Sequence, residues 1–408
     1  MLKRTFGLDL HRDRIYVTML NANDGVAEQY EIATRGKEFE AFLATIQPGD
    51  QVALEATRGC NYYYQRLLAT GASVFVANPS KVRFFTEETA KSDRNDACSL
   101  ALLLSIGALP TIWMPSPETQ EDREVIRHRF NLVHELARVK NRVRAQMAEH
   151  GMLWEGSDVS DGCAQRFLMK LRLQLPWASK EVLNSHLAQI DHLNESISKI
   201  DQVILVRAER WPEVKLLMTI RGINVLTAFT LMATIGKVDR FLTADSLANY
   251  AGLVPSQYSS AGKTRNGRIT KAGPKALRWA LTEAVQSLCR VDGHYRNLCK
   301  RLERKKKGKG IAATACARKL LKAIWCMLSR NEPFHHADPD LVDRKAQRRE
   351  QLVKAARPVV EERRKRHHQI ILHQLALAQE LARRRIPLAV PKPLQAVLAI
   401  RSVAAAAS

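Results

Sequence analysis

Four acidic residues within the first hundred positions are of a type and spacing that could bind a metal ion: Asp9, Glu55, Asp93 and Asp96. Carboxylates that converge repel one another unless a hard cation lies between them. Mg²⁺ is bound by a few carboxylates together with phosphate oxygens. A pair of such ions can stabilise both the attacking and the leaving oxygen of a phosphodiester. The four acids therefore predict metal-dependent chemistry on phosphodiesters, provided that the fold brings them together.

The strand and helix pattern of this region predicts how they meet. The segments "KRTFGLDL", "RIYVTML" and "GVAEQYEIA" predict a meander of three strands. Helix and strand segments then alternate through "EFEAFLATI", "QVALEA", "NYYYQRLLAT", "ASVFVAN" and "SDRNDACSLALLLSIG". This is the order of an RNase H-like sheet, in which the fourth strand lies parallel beside the first. Asp9 on the first strand and Glu55 at the end of the fourth are then expected at one edge of the sheet.

The two remaining acids begin the last helix of that series and have a second explanation. Asp93 and Asp96 are three residues apart and share a helix face. Such acids also serve as an N-cap and as a first-turn acid that complements the helix dipole. Because Asp9 and Glu55 are expected at neighbouring strand ends, the pattern of all four favours the metal site.

The second candidate site is the segment "GLVPSQYSSAGKTRNGRITKAG". It places Ser259 and Ser260 among glycines and cations, and its Gly and Pro residues predict an irregular loop rather than a helix or strand. The serines could donate hydrogen bonds to a phosphate. One of them could instead attack phosphorus, which requires a base or a metal to activate the hydroxyl. Four cations of the segment suit either function: Lys263, Arg265, Arg268 and Lys271.

Long helices are predicted between the two candidate sites. Apolar residues repeat at heptad-like spacing in two stretches, namely Leu132, Leu136, Val139 and Val143, then Leu183, Ile190, Ile197 and Ile204. This spacing predicts two helices that pack as a coiled-coil-like hairpin. The first helix has more cations than a solvated face requires, and we expect Arg138, Lys140 and Arg142 to contact nucleic acid.

A turn follows these helices in "VKLLMTIRGINVLTAFTLMATIG". Two apolar helical segments flank Arg221-Gly222-Ile223-Asn224, as in a helix-hairpin-helix motif, whose backbone amides can bind a phosphate without reading sequence. The usual Pro-Gly-Ile-Gly turn is absent, so the similarity is loose. We expect Arg221 to contact nucleic acid.

Composition narrows the class of protein. The chain has 408 residues and a formal charge of +23, which attracts polyanions and favours binding to a phosphate backbone.

The longest apolar run is well short of the roughly 20 residues that a membrane span needs, and the N-terminus lacks a signal-peptide pattern, so a cytoplasmic protein is expected. Seven cysteines without a CxxC pair predict neither a disulfide framework nor a zinc site, but small buried side chains.

Several of these segments together resemble transposases of the insertion-sequence 110/1111 family. The similarity is carried by "GLDL", "LEATRGCNYYYQRLLATGASVFVANPSKVRFF", "KSDRNDACSLA", "GLVPSQYSSAGKTRNGRITKAGPKALRWAL" and "ACARKLLKAIWCML", in that order. It covers residues 3 to 334. The resemblance implies a RuvC-like DEDD domain, a coiled-coil segment, a C-terminal domain with a serine nucleophile and guidance by a structured bridge RNA.

The resemblance also implies roles for individual residues. The DEDD acids correspond to Asp9, Glu55, Asp93 and Asp96, and the nucleophile to Ser260. The family's serine immediately precedes a glycine, whereas Ala261 follows Ser260 here and the glycine is Gly262. Ser259 is therefore the second candidate.

We predict an α/β plus α protein with four parts: an RNase H/RuvC-like DEDD domain (1–115), a coiled-coil-like helical segment (116–210), a mainly helical transposase domain (211–334) and a basic helical extension with a tail (335–408). The expected partners are double-stranded DNA of the element ends and target, a guide RNA and further copies in a homodimer or homotetramer. A RuvC-like nuclease or junction resolvase with a structural serine loop is the alternative function. A non-catalytic nucleic-acid-binding scaffold is a third.

Overall fold

The computed structural model describes residues 4–21, 27–83, 93–152, 168–169, 175–260, 263–306 and 308–383. The chain divides into two compact units, residues 1–116 and 117–408. The first is a mixed α/β unit and the second is mostly helical. The four-part division of the sequence remains a prediction.

The first unit is built on a sheet of strands β1 (Arg4–Leu10), β2 (Arg14–Asn21), β3 (Ala27–Ala33), β4 (Gln51–Glu55), β5 (Ser73–Ala77) and β6 (Thr111–Ile112). Within the described residues their order is β3-β2-β1-β4-β5-β6. β1, β2 and β3 are antiparallel, whereas β4 pairs parallel with β1 and β5 parallel with β4. The predicted meander and the parallel pairing of the fourth strand with the first are thus confirmed. The short β6, which the sequence pattern did not predict, pairs antiparallel with β5.

Helices cover both faces of this sheet: α1 (Lys37–Thr45), α2 (Cys60–Leu68), α3 (Pro79–Val82) and α4 (Asp93–Ser105). Phe6 and Leu8 of β1 form a core with Phe39 and Phe42 of α1. A second apolar cluster lies on the other face, where Ala53 and Ala77 meet leucines of α4. Because strand side chains alternate between faces, the even-numbered β1 residues face α1, and Gly7 and Asp9 face α4.

The second unit begins with two long helices, α5 (Pro117–Glu149) and α6 (Trp177–Arg207). Leu132, Val139 and Val143 of α5 form a buried cluster with Leu183 and Ile190 of α6. Polar contacts join opposite ends of the two helices, from Arg207–Asp122 to Gln146–Ser179. The helices are therefore antiparallel, as the apolar repeats predicted. Their coiled-coil character remains a prediction.

The later α-helices in the described part of this unit are α7 (Pro212–Leu217), α8 (Val225–Ile235), α9 (Ala244–Tyr250), α10 (Lys275–Val291), α11 (Gly293–Lys306), α12 (Lys309–Arg330) and α13 (Pro339–Arg383). Helix α8 is apolar on nearly every side and lies within the largest core cluster, as such a helix must. The predicted apolar face of α10, which includes Leu277, Leu281 and Leu288, is buried in the same cluster. The predicted helical extension corresponds to α13.

The serine segment differs from the sequence-based expectation. It is not an irregular loop: β7 (Pro255–Ser260) and β8 (Lys263–Ile269) form an antiparallel two-stranded ribbon in which Ser260 pairs with Lys263. Proline at the first strand position is compatible with pairing. Gly267 lies against Ser256, where a β-carbon would be only 2.3 Å from the serine hydroxyl oxygen. Pro255 begins β7 and Gly267 allows β8 to lie close to Ser256, so neither residue prevents strand formation.

The cysteines also differ from expectation. Cys289 at the end of α10 and Cys299 on α11 form a disulfide, so the prediction of small buried side chains without disulfides is wrong for this pair. The reason is that only one residue separates α10 from α11, and this short connection brings the α-carbons of Cys289 and Cys299 to 6.7 Å from each other. Cys316 is buried, whereas Cys60, Cys98 and Cys326 are half-buried.

Candidate active site

Gly7 determines how closely α4 lies against the sheet. A β-carbon at Gly7 would be 2.1 Å from the carbonyl oxygen of Ala97 and 2.6 Å from the backbone nitrogen of Ala101. Both distances are far below van der Waals contact, so only glycine fits. The close approach brings the first turn of α4, with its two aspartates, beside Asp9, which lies two residues beyond Gly7 on the same face of β1.

Asp9, His11 and Asp93 form a cluster at this edge of the sheet. A ligand atom from each lies within 4.8 Å of the other two. The His11 Nε2 atom is 3.0 Å from Asp9 Oδ2 and 3.3 Å from Asp93 Oδ1. The Asp9 side chain is 7% exposed, whereas those of His11 and Asp93 are 46% and 43% exposed. The cluster thus has a buried carboxylate at its base and opens toward solvent.

The pKa of Asp9 is raised by burial and by the neighbouring carboxylates. Burial raises the pKa of the carboxyl, the hydrogen bond and charge of His11 lower it, and the charges of Asp96 and Asp93 raise it again, leaving it above its ordinary value. Asp96 therefore acts electrostatically on Asp9 together with Asp93. A bound cation would offset both the burial and the repulsion.

Glu55 occupies the last position of β4. The parallel ladder between β1 and β4 pairs Leu8 with Leu54, so Asp9 and Glu55 are the next residues on two adjacent strands. Glu55 also shares the α4 face with Ala53, two residues earlier. The sheet and helix thus direct all four predicted acids to one region, with Asp9 and Asp93 in the closest cluster.

The donor set suits a hard divalent cation. Carboxylate oxygens are the ligands that Mg²⁺ prefers, and the mutual repulsion of Asp9, Asp93 and Asp96 is the situation that a cation relieves. His11, which was not predicted from the sequence, lies between two of the carboxylates. Its signal was its place two residues after Asp9, immediately beyond the end of β1. Its ring is held edge-on against Tyr16, with the ring centroids 5.8 Å apart.

The serine ribbon forms a second candidate site in the other unit. Ser259 and Ser260 are consecutive in β7 and pair with Thr264 and Lys263 of β8. The side chains of both serines and of Lys263 lie outside the described residues. Arg265 and Arg268 are exposed on β8, and Lys271 is exposed just beyond it. These three cations can therefore reach a phosphate.

The base of the ribbon is fastened by close backbone contacts. A β-carbon at Gly273 would be 1.8 Å from the carbonyl oxygen of Tyr250, and one at Gly252 would be 2.7 Å from the nitrogen of Ala272. Arg278 donates to the carbonyl oxygens of Ala251 and Gly273. The chain segments that enter and leave the ribbon are thereby joined to each other.

The predicted turn between α7 and α8 is present, and Asn224 caps α8 by accepting a hydrogen bond from the Thr227 amide at 2.9 Å. Arg221 in this turn forms an ion pair with Asp338 at 2.8 Å. The Lys345 ammonium donates to three carbonyl oxygens of the same turn, those of Met218, Ile220 and Ile223. Arg221 thus has an intramolecular partner, and its contact with nucleic acid remains a prediction.

The predicted cations of α5 lie in two different environments. Arg138 and Arg142 are exposed and line a groove between α5 and α6 together with Glu135 and His192. Lys140 is half-buried. Arg129, another cation of the same helix, pairs with Asp201 at 2.5 Å and joins the two helices.

Comparisons with known proteins match segments that contain both candidate sites. A family model described as "Transposase", for the DEDD domain of IS110 elements, matches residues 6–152, and a second, "Transposase IS116/IS110/IS902 family", matches residues 214–300. Together they cover more than half of the chain and both candidate sites. The chain belongs to the IS110 family of transposases. The DEDD domain implies a divalent-metal site in this transposase.

Curated relatives agree with this family. The transposase is 25% identical over 318 residues to the "Transposase for insertion sequence element IS1111A" of Coxiella burnetii, with 75% of this chain and 84% of the relative covered. It is 25% identical over 302 residues to the transposase of element IS1328 of Yersinia enterocolitica, covering 72% and 87%. It is 27% identical over 270 residues to the "Pilin gene-inverting protein" of Moraxella lacunata, covering 64% and 74%.

Among the described residues, none of the helices of the transposase combines the length and the apolar character that a membrane span requires.

Proposed function

We propose that this transposase cuts and rejoins DNA with a Mg²⁺ site formed by Asp9, Glu55, Asp93 and Asp96 and with Ser260 as nucleophile. The observation that carries the proposal is the meeting of Asp9 and Asp93, made possible by the contact of Gly7 with α4. We also propose that the first unit belongs to the RNase H/RuvC-like class, which is supported by its strand order and by its parallel β1–β4 pair.

The acids of the first unit would hold the metal and orient a scissile phosphate. Bound Mg²⁺ would supply charge stabilisation for the oxygens that attack and leave phosphorus. Buried Asp9 would provide a fixed ligand at the base of the site, with Asp93 and Asp96 presented by the first turn of α4. His11 would hold Asp9 and Asp93 in position while no cation is bound.

Ser260 would form a covalent link to the DNA. Its Oγ–phosphorus bond replaces one phosphorus–oxygen bond of the backbone, the displaced oxygen leaves as a hydroxyl, and the serine gives up its proton. Attack by the hydroxyl of another strand reverses the step and rejoins the DNA without ATP. The exposed Arg265, Arg268 and Lys271 would hold the phosphate and offset its growing negative charge.

We assign the selection of the target to a structured guide RNA. We assign the binding of the DNA duplex to the cations of the protein. The formal charge of +23 supports contact with two nucleic acids at once, and base pairing would choose the site while the protein holds the shape of the duplex. Two cleavage sites in each recombination event require at least two serines, so we assign a homodimer or homotetramer on DNA. Light scattering of the DNA complex gives its mass, and a monomer would contradict this assembly.

A metal-dependent nuclease or junction resolvase is the second candidate. It is favoured by one observation: Asp9, His11 and Asp93 meet within the first unit alone, so the acidic site assembles without the serine ribbon. In this case the serines would only donate hydrogen bonds to DNA.

A denaturing gel of labelled DNA after incubation with the protein and its co-purified RNA separates these functions. Serine recombination predicts a covalent protein–DNA adduct that is lost in Ser260→Ala. The nuclease predicts free cut ends in both proteins, and a non-catalytic scaffold predicts neither product. Sequencing of the co-purified RNA tests guidance, since an RNA complementary to the element ends and the target is expected.

A further inference from the structure

Three cysteines of the second unit converge on one point. Cys289 is on α10, Cys299 on α11 and Cys316 on α12, and their three sulfur atoms all lie within 4.8 Å of one another. None of the three belongs to the residues assigned above to the metal site or to the serine ribbon. The cluster therefore needs an explanation of its own.

The central member of the cluster is Cys299. It forms a disulfide with Cys289, and the Sγ atom of Cys316 is 2.9 Å from its own Sγ atom. Cys316 is fully buried and carries a free thiol. Cys299 thus has one bonded sulfur neighbour and one free thiol already in contact.

We propose that Cys289, Cys299 and Cys316 form a thiol–disulfide relay, in which Cys316 displaces Cys289 from Cys299. The Cys316 thiolate attacks the Cys299 sulfur, a Cys299–Cys316 bond forms, and the Cys289–Cys299 bond breaks. The electron pair leaves on the Cys289 sulfur, which takes up the proton that Cys316 lost. One disulfide is exchanged for another, so the step needs no oxidant or reductant.

Neighbouring groups act on both the leaving Cys289 sulfur and the attacking Cys316 thiol. The carbonyl oxygen of Tyr295 lies 3.6 Å from the Cys289 sulfur and accepts the hydrogen of the released thiol. At the other end, burial raises the pKa of the Cys316 thiol, while the charge of Lys319 acts in the opposite direction. The raised pKa keeps Cys316 mostly in its thiol form at neutral pH.

A soft metal ion is the other ligand that three cysteines suit. Metal binding requires the cysteines as separate thiolates, whereas the disulfide leaves only Cys316 free. The two states exclude each other, and the observed Cys289–Cys299 bond favours the relay.

The relay changes which neighbour holds α11. In one state α11 is joined covalently to α10, and in the other to α12. Helix α11 carries a dense set of cations: Arg296, Lys300, Arg301, Arg304 and Lys305. The relay therefore determines which neighbouring helix is covalently bonded to this strongly basic helix.

Disulfide mapping of the full-length protein tests the relay, and it does not depend on the proposed recombination chemistry. Trypsin places the three cysteines in separate peptides, "WALTEAVQSLCR", "NLCK" and "GIAATACAR". The protein is incubated in oxidised and reduced glutathione, alkylated at intervals, digested without reduction and analysed by mass spectrometry. Two linked pairs are expected in the wild-type protein, Cys289–Cys299 and, increasing with time, Cys299–Cys316.

Single variants separate the two bonds. Cys289→Ala should form the Cys299–Cys316 bond, and Cys316→Ala should retain only Cys289–Cys299. Cys326→Ala is the matched control, because Cys326 is a half-buried free cysteine on the same helix as Cys316; it should show both bonds. A folded Cys289→Ala variant, judged by circular dichroism, without a Cys299–Cys316 bond would overturn the relay. So would one equivalent of bound zinc or copper that protects all three thiols from alkylation.

Discussion

Gly7 and Ala97 are in direct backbone contact, and this contact sets the distance between β1 and α4. A β-carbon at Gly7 would be 2.1 Å from the Ala97 carbonyl oxygen. Asp9 follows Gly7 by two residues, and Asp96 immediately precedes Ala97. The packing of a residue without a side chain therefore controls the spacing of acids on two separate elements.

Replacement of Gly7 should disrupt the acidic cluster. In Gly7→Ala the added methyl must push α4 away, which should cost about 1–3 kcal/mol of unfolding free energy, the usual range for an overpacked core, and abolish DNA cleavage. Urea unfolding and a cleavage assay measure the two effects. Gly310→Ala is the control, since no atom lies within 4 Å of a β-carbon at that position. Cleavage at the wild-type level in Gly7→Ala would show that the spacing of α4 is not needed.

Removal of single acids should separate catalysis from binding. Asp9→Asn, Glu55→Gln, Asp93→Asn and Asp96→Asn should each abolish strand transfer in Mg²⁺ while DNA affinity stays close to wild type, because the cations carry the affinity. Strand-transfer and gel-shift assays provide the two measurements. Glu31→Gln, which alters a carboxylate paired with Arg14 on the same sheet, should remain active. Full activity in both Asp9→Asn and Glu55→Gln would remove the metal-site assignment.

The two serines should differ in covalent chemistry. Ser260→Ala should lose the protein–DNA adduct and all recombination, whereas Ser259→Ala should retain part of both, because only the nucleophile is indispensable. Mass spectrometry of the DNA-linked peptide after protease digestion identifies the attached residue. A link at Ser259, or an active enzyme without any link, would contradict the assignment to Ser260.

The exposed arginines of β8 should act through phosphate contact. Arg265→Ala and Arg268→Ala should each weaken binding to all DNA sequences alike, and each should reduce the slope of log affinity against log salt by about 1. Affinities measured by fluorescence anisotropy at several salt concentrations give the slope. Arg66→Ala, which removes a cation paired with Glu40 at 2.6 Å, should leave the slope unchanged. An unchanged slope in both β8 variants would exclude phosphate contact.

Lys345 should make stability depend on pH. Burial and the nearby charge of Arg221 lower the pKa of Lys345 to about 8, against about 10.4 in an unfolded chain. Between these values the unfolded chain binds more protons, so the free energy of unfolding rises with pH through this group. Urea unfolding at pH 7.5 and 9.5 should show a smaller increase in Lys345→Met than in wild type. Lys354→Met, at an exposed position of the same helix, should match wild type, and equal increases in all three proteins would refute the shift.

Much of the first unit could be predicted from local sequence pattern. Short apolar segments predicted the first five strands, and the longer segments between and after them predicted α1, α2 and α4. The order of these elements then predicted the parallel pairing of β4 with β1. Asp9 and Glu55 could be placed at adjacent strand ends from this topology alone.

Other features could not be predicted because they depend on contacts between residues distant in sequence. The role of Gly7 exists only once Ala97 lies against it, and the role of His11 only once Asp93 approaches Asp9. The serine ribbon has Gly and Pro where an isolated segment would form a loop, but pairing of β7 with β8 satisfies the backbone hydrogen bonds. Arg221 could be recognised as a cation, whereas its pairing with Asp338 required α13 to fold back onto the turn.

The family, the first five strands of the first unit and the four candidate acids could be inferred from the amino-acid sequence alone, because these follow from side-chain type, local apolar pattern and motif spacing. Which side chains meet depends on the folded protein. It placed His11 between two carboxylates, gave Arg221 an intramolecular partner and brought three cysteines from three helices to one point. Distances between side chains on separate elements depend on how those elements pack, and packing is a property of the whole core.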